Sequence, residues 1–203
     1  LTLLRCMHLQ AYYKVYPHEQ NGPEWILDLR AENATSNVAK LAAQSYRAAY
    51  AEFGNALNIL AQNTEDEKTR FKSVSDGMKD SADVFKKMGK EIQLVIPLRA
   101  YERFSLSEDL VRYLVLSLIP PTAKMTFDSF LQKLYDHFGM VIGPEQYNSK
   151  TAESGMKGYL AENRDQFQEF LKSCGLLRDL SDATSIVVNP LYAYRVLNLL
   201  VWR

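Results

Sequence analysis

Residues 167–188 read FQEFLKSCGLLRDLSDATSIVV, and this stretch decides the fold of the second half of the chain. Phe167, Phe170, Leu171 and Cys174 recur at i, i+3, i+4 and i+7, the apolar stripe of a helix that starts near Asn163, and Gly175 is placed to stop it. Residues 176–180 and 185–188 then read as two short strands around the polar turn at 181–184. Asn189 followed by Pro190 predicts a last helix, with Asn as its cap and Pro at the first helical position.

Working upstream, Ser105 and Glu108 have the spacing of a capping box and open a helix to about Ile119, where Pro120 and Pro121 end it. Thr126 caps the next helix, with Met125 and Phe130 as its hydrophobic staple. Phe127, Phe130, Leu131, Leu134 and Phe138 line one face before Gly139. Three capped helices followed by a strand pair form the order of a winged-helix domain, so residues 105–189 resemble the winged-helix superfamily. The chain departs from that pattern at residues 140–162, an inserted loop where a helix-turn-helix has a turn of about 3–4 residues. The resemblance implies a helix for the DNA major groove, since winged-helix proteins most often bind DNA.

Charge argues against that use of the third helix. With Phe167, Phe170, Leu171 and Cys174 inward, the opposite face carries Asp165, Glu169 and Lys172, flanked by Gln168 and Ser173. Two outward carboxylates are repelled by phosphates. Residues 106–190 hold eight basic and eleven acidic side chains, a net −3, and the turn adds Asp179 and Asp182 with Arg178 as its nearby cation. A DNA-binding alternative therefore needs a basic surface that reaches beyond that face, combining Arg164, Lys172 and Arg178 with Lys150 and Lys157 of the insertion.

Apolar content points to packing instead. The helix from 108 to 119 leaves almost no polar face and calls for cover on more than one side, which the N-terminal helices could supply. Residues 191–202 are apolar all round apart from Arg195 and Asn198. Their length is too short for a bilayer core of ~30 Å. They need a covering surface, either the N-terminal hairpin or an interface with a second copy or a different subunit, and for an interface Tyr192, Arg195, Leu199 and Trp202 are the candidate partner-binding residues.

In the first half, Leu9, Ala11, Tyr13 and Val15 alternate with polar or aromatic residues, and 25–29 forms an apolar run after the turn signal Asn21, Gly22, Pro23; an N-terminal strand pair is expected. Val38, Leu41, Ala42, Tyr46, Ala49, Phe53, Leu57 and Leu60 form a helical stripe over about 36–62. Thr64 and Glu67 then cap a second long helix, with Phe71, Val74, Met78, Ala82, Phe85 and Met88 on its stripe and Gly89 as its end. Alanines in the first helix let the second approach closely. Lys86, Lys87 and Lys90 match the helix dipole, and 65–90 carries seven basic and six acidic side chains, so this face reads as solvated. A short strand or connector at 91–96 ends at Pro97, which sets the domain boundary.

The whole chain has 203 residues and 24 cations against 24 carboxylates, so no global field steers it to nucleic acid or anionic lipid. Cys6 and Cys174 have neither a zinc nor a disulfide-framework spacing; two buried thiols in a reducing compartment are expected. The chain opens on Leu1 without a basic-then-apolar leader, as a piece of a longer polypeptide would. His8, His18 and His137 share no metal-ligand spacing, Asp136 and His137 point about 100° apart on a helix, and no phosphate loop or nucleophile elbow occurs.

The expected fold is mainly α with small β elements. Residues 1–97 form a strand pair and a long helical hairpin; 98–203 form a winged-helix-like domain with an inserted loop and an apolar terminal helix. The expected function is a non-catalytic cytoplasmic binding or assembly module of a larger protein or complex, without cofactor, metal, membrane or small-molecule ligand. Its partner is a protein or a second copy, and the alternative is DNA binding through the basic candidates.

Overall fold

Leu4, His8 and Ala11 are spaced by four and three residues and are all buried, so the N-terminal segment is a helix, α1 (Thr2–Val15), not a strand. Two buried positions of that face, Arg5 and His8, are polar, and the apolar alternation of 9–15 outweighs the true stripe in a sequence reading. The expected strand pair is replaced by α1 and a two-residue strand, β1 (Trp25–Ile26). The computed structural model describes residues 1–29, 36–97, 101–121, 123–147, 154–181 and 184–191. They are mainly helical and fall into two compact units, Leu1–Leu27 with Asn33–Ser105 and Asp28–Glu32 with Leu106–Arg203.

In the first unit, α2 (Asn37–Leu60) starts where Ser36 accepts the Ala39 N–H at 3.0 Å, and its stripe buries Val38, Leu41, Ala42, Tyr46, Ala49 and Phe53. Ser45 Oγ donates to the Glu24 carbonyl at 2.8 Å and accepts the Ile26 N–H at 3.1 Å, which holds β1 on α2. The second long helix is in fact two, α3 (Glu67–Asp80) and α4 (Ala82–Glu91). Its cap is Asp66, which accepts the Thr69 N–H at 2.7 Å, not Thr64. The break falls at Ser81, whose Oγ bonds back to the Gly77 carbonyl at 2.6 Å; a Gly and a Ser four residues apart weaken the ladder there.

Helix α3 buries no residue and leaves Phe71 76% exposed, whereas α4 buries Ala82, Phe85 and Gly89. Gly89 does not end the helix. It lies inside α4, where an added Cβ would sit 2.7 Å from Val95 Cγ2. Strands β2 (Val95–Ile96) and β3 (Arg103–Phe104) pair antiparallel, so residues beyond the boundary expected at Pro97 return to the first unit. Trp25, Phe53, Phe85 and Phe104 form the aromatic core, with Trp25 and Phe104 stacked at 5.1 Å.

In the second unit, α5 (Glu108–Leu118) is capped by Ser107, two residues later than the Ser105 expected, through the Leu110 N–H. It buries Leu110, Val111, Leu114 and Val115 but leaves Tyr113 and Leu116 exposed, so cover on all sides is not what its described surroundings provide. Strand β4 (Lys124–Thr126) leads into α6 (Phe127–Phe138), whose cap Thr126, buried face and left-handed Gly139 are those read from the sequence.

The inserted loop is shorter than expected. Strand β5 (Met140–Val141) and a 3-10 turn (Pro144–Gln146) follow α6, and α7 (Ser154–Ser173) begins well before Asn163. Leu160, Asn163, Phe167, Leu171 and Cys174 are its buried stripe, and Phe170 is only half-buried. Asn163 donates to the Ile142 carbonyl at 2.9 Å and accepts the Leu29 N–H, so a polar residue again interrupts the apolar pattern. Gly175 is left-handed, with the Leu176 N–H closing on the Leu171 carbonyl at 2.9 Å, a Schellman end. Strands β6 (Leu177–Ser181) and β7 (Thr184–Val188) pair antiparallel with an irregularity at Asp179–Ser181, and β4 pairs the other edge of β7, giving the order β4-β7-β6.

Candidate functional site

The outward side of α7 and its junction with β6 and β7 hold most of the described basic candidates, and carboxylates engage two of them. Arg164 Nη2 lies 2.5 Å from Asp128 Oδ1, and its guanidinium stacks 5.1 Å above the Phe127 ring. Lys172 Nζ bridges Glu169 at 2.9 Å and Asp179 at 3.0 Å. The hydrogen bonds it donates to Glu169 and then to Asp179 raise the Lys172 ammonium above its ordinary range. Ser185 and then Lys172 lower the Asp179 carboxyl. Lys157 and Arg178 are exposed. Lys150, Tyr192, Arg195, Leu199 and Trp202 lie outside the described residues.

Register explains why Asp179 comes within reach of α7. Asp179 pairs with Ser185 across β6 and β7, and Ser185 Oγ donates to Asp179 at 2.6 Å while accepting from Gln168 Nε2 at 3.1 Å. Gln168, Glu169 and Lys172 are therefore held against the strand pair by polar contacts. Beside them is an open cleft of about 340 Å3 lined by Thr126, Phe127, Asp128, Arg164, Gln168, Thr184 and Ser185. Its hydroxyls, amide and ion pair suit hydrogen bonding to a polar surface, and it lacks the set of uncompensated cations a phosphate chain requires.

The first unit contains a polar cluster that the sequence reading passed over. His8 Nε2 is 2.5 Å from Glu52 Oε2, Trp25 Nε1 donates to His8 Nδ1 at 2.7 Å, and Arg5 Nη1 donates to the Pro23 carbonyl at 2.7 Å. His8 is 1% exposed, and burial lowers its pKa below 6.5 although Glu52 pulls the other way. The only signal in the sequence is spacing, since Arg5, His8 and Ala11 share a helical face with Leu4.

His18 and His137 are exposed, and Asp136 accepts from Gln132, not from His137. Among the described residues no group of three or more His, Cys, Asp or Glu is placed to hold a metal ion, and no helix is long and apolar enough to cross a membrane. Cys174 is buried as expected, but Cys6 is exposed, because α1 turns its Leu4–His8 face inward and Cys6 away from it. Comparison with protein-family models, with curated proteins and with solved structures finds no match to this chain.

Proposed function

We propose that this chain is a non-catalytic cytoplasmic binding or assembly module of a larger protein or complex, whose second unit has a winged-helix arrangement used mainly for protein contacts. The observation that carries the reading is the neutralisation of the α7 face: Arg164 is matched by Asp128, and Lys172 by Glu169 and Asp179. A DNA-reading helix would offer those cations to phosphates, and here their release would cost the carboxylate pairings first. The element order α5-β4-α6-β5-α7-β6-β7, with the 3-10 turn after β5, and the strand order β4-β7-β6 support the winged-helix part.

Apolar side chains left in solvent support the protein partner. Tyr113 and Leu116 lie one helical turn apart on α5, and Leu180 on β6 is 64% exposed. The test is a titration of labelled random-sequence duplex at low and moderate salt, beside light scattering of the same sample. The expected result is no salt-sensitive binding; a mass above 23.2 kDa would identify a second copy as a partner, and a monomer would direct the search to a different protein. Binding that falls steeply with salt would overturn the reading and return Lys157 and Arg178, both exposed, to a DNA surface.

A further inference from the structure

An indole N–H only donates, so the 2.7 Å contact from Trp25 Nε1 requires a lone pair on His8 Nδ1. The imidazole proton must then sit on Nε2, where it points at Glu52 Oε2 across 2.5 Å. Two partners from different elements thus fix both the tautomer and the neutral state of one buried side chain. A second proton has one place to go, Nδ1, and there it would meet the indole N–H head on.

The charges around the ring allow little compensation. Arg5, from α1 itself, lies with its guanidinium 5.3 Å above the Trp25 ring, and Glu52 faces the imidazole from α2. Those two cancel around a neutral His8, so protonation leaves a net positive charge on a ring that is only 1% exposed. From β1 and α4 the neighbours are rings, Trp25 and Phe85, each with its centroid 6.0 Å from that of His8; Phe53 of α2 lies at 6.1 Å. Tyr12, one turn along α1, has its hydroxyl pKa raised, chiefly by burial, and stays neutral.

We propose that His8 is an acid-operated latch of the first unit: a proton on Nδ1 expels the Trp25 indole, and α1 with the connection to β1 loosens from α2 and α4. The sign follows from linkage. Because the fold holds His8 neutral while the unfolded chain protonates it at 6.5, the latch is closed above that pH and loses stability progressively as pH falls below it. The latch concerns the first unit and does not rest on the proposed function.

The test is NMR of the 15N-labelled chain carrying Trp202→Phe, so that Trp25 supplies the sole indole signal, followed from pH 7.5 to 4.5. At the upper end His8 should show the neutral Nε2–H form, and the Trp25 indole signal should move or vanish in step with His8 protonation, at a midpoint below 6.5. Glu52→Gln removes the attraction for the imidazolium and should move that step down by about one pH unit. His8→Gln, whose amide offers both N–H donors and a carbonyl acceptor but does not titrate, should abolish the step; if that variant does not fold, the other two titrations decide. An indole signal unmoved through His8 protonation overturns the proposal, and so does a step that Glu52→Gln abolishes outright, since the carboxylate would then be the titrating group.

Discussion

Asn189 Nδ2 donates to the Ile119 carbonyl oxygen at 2.6 Å, tying the residue after β7 to the residue after α5, 70 positions earlier. Both groups are buried, and Asn189 Oδ1 also accepts the Leu191 N–H at 2.9 Å. One side chain therefore closes the second unit and satisfies the backbone of its last described turn. Asn189→Ala leaves a buried carbonyl without its donor and should destabilise the second unit by about 1–3 kcal/mol. Urea unfolding followed by backbone signals of that unit checks it, and an unchanged midpoint would remove Asn189 from its closure.

Phe167 and Phe170 separate two ways of facing α7. Phe167 is fully buried between Phe127 and Phe130, with ring centroids at 6.0 and 6.4 Å, while Phe170 is half-buried. Phe167→Ala should cost about 3–5 kcal/mol. Phe170→Ala should cost clearly less, although the sequence pattern ranks the two alike. Equal losses would put the inward face of α7 back where periodicity alone places it.

Glu102 sets a second acid boundary in the first unit, distinct from that of His8. Burial would raise its carboxyl, but Lys86 at 2.8 Å and Lys90 at 3.0 Å outweigh it and bring the pKa to about 2. Since the folded value lies below the ordinary 4.5, this contribution is present above pH 4.5 and fades as pH falls toward 2. Glu102→Gln should lower stability at pH 7 by about 0.5–1 kcal/mol, as for a partly exposed pair, and flatten the acid limb below pH 4.5. A variant as acid-sensitive as the parent in that window would show that other carboxylates govern it.

The two cysteines should differ sharply toward a thiol reagent. Cys6 is exposed, whereas Cys174 is buried and its thiol pKa is pushed up chiefly by that burial, which keeps it in the unreactive protonated form. One equivalent of label should add fast and the second only in denaturant, and Cys6→Ser should delete the fast phase. Equal rates would place Cys174 at the surface.

The sequence by itself determined the elements whose signals are local. The apolar stripe from Val38 to Leu60 announces α2, Thr126 announces α6 because a cap bonds a backbone N–H three residues ahead, and Gly139 and Gly175 mark ends where a left-handed backbone is needed. The strand pair 177–188 is equally legible, since alternation and a polar turn act over a few residues. Only the tertiary structure decided α1, the break at Ser81 and the early start of α7. In α1 and α7 the stripe includes Arg5, His8 and Asn163, which are buried because Pro23, Trp25, Glu52, Leu29 and Ile142 supply their hydrogen-bond partners from other elements. The same holds for the basic candidates: a count of charges lists Arg164 and Lys172 as available, and only the fold brings Asp128 and Asp179 to them, because ion pairing depends on distance in space and not on separation along the chain.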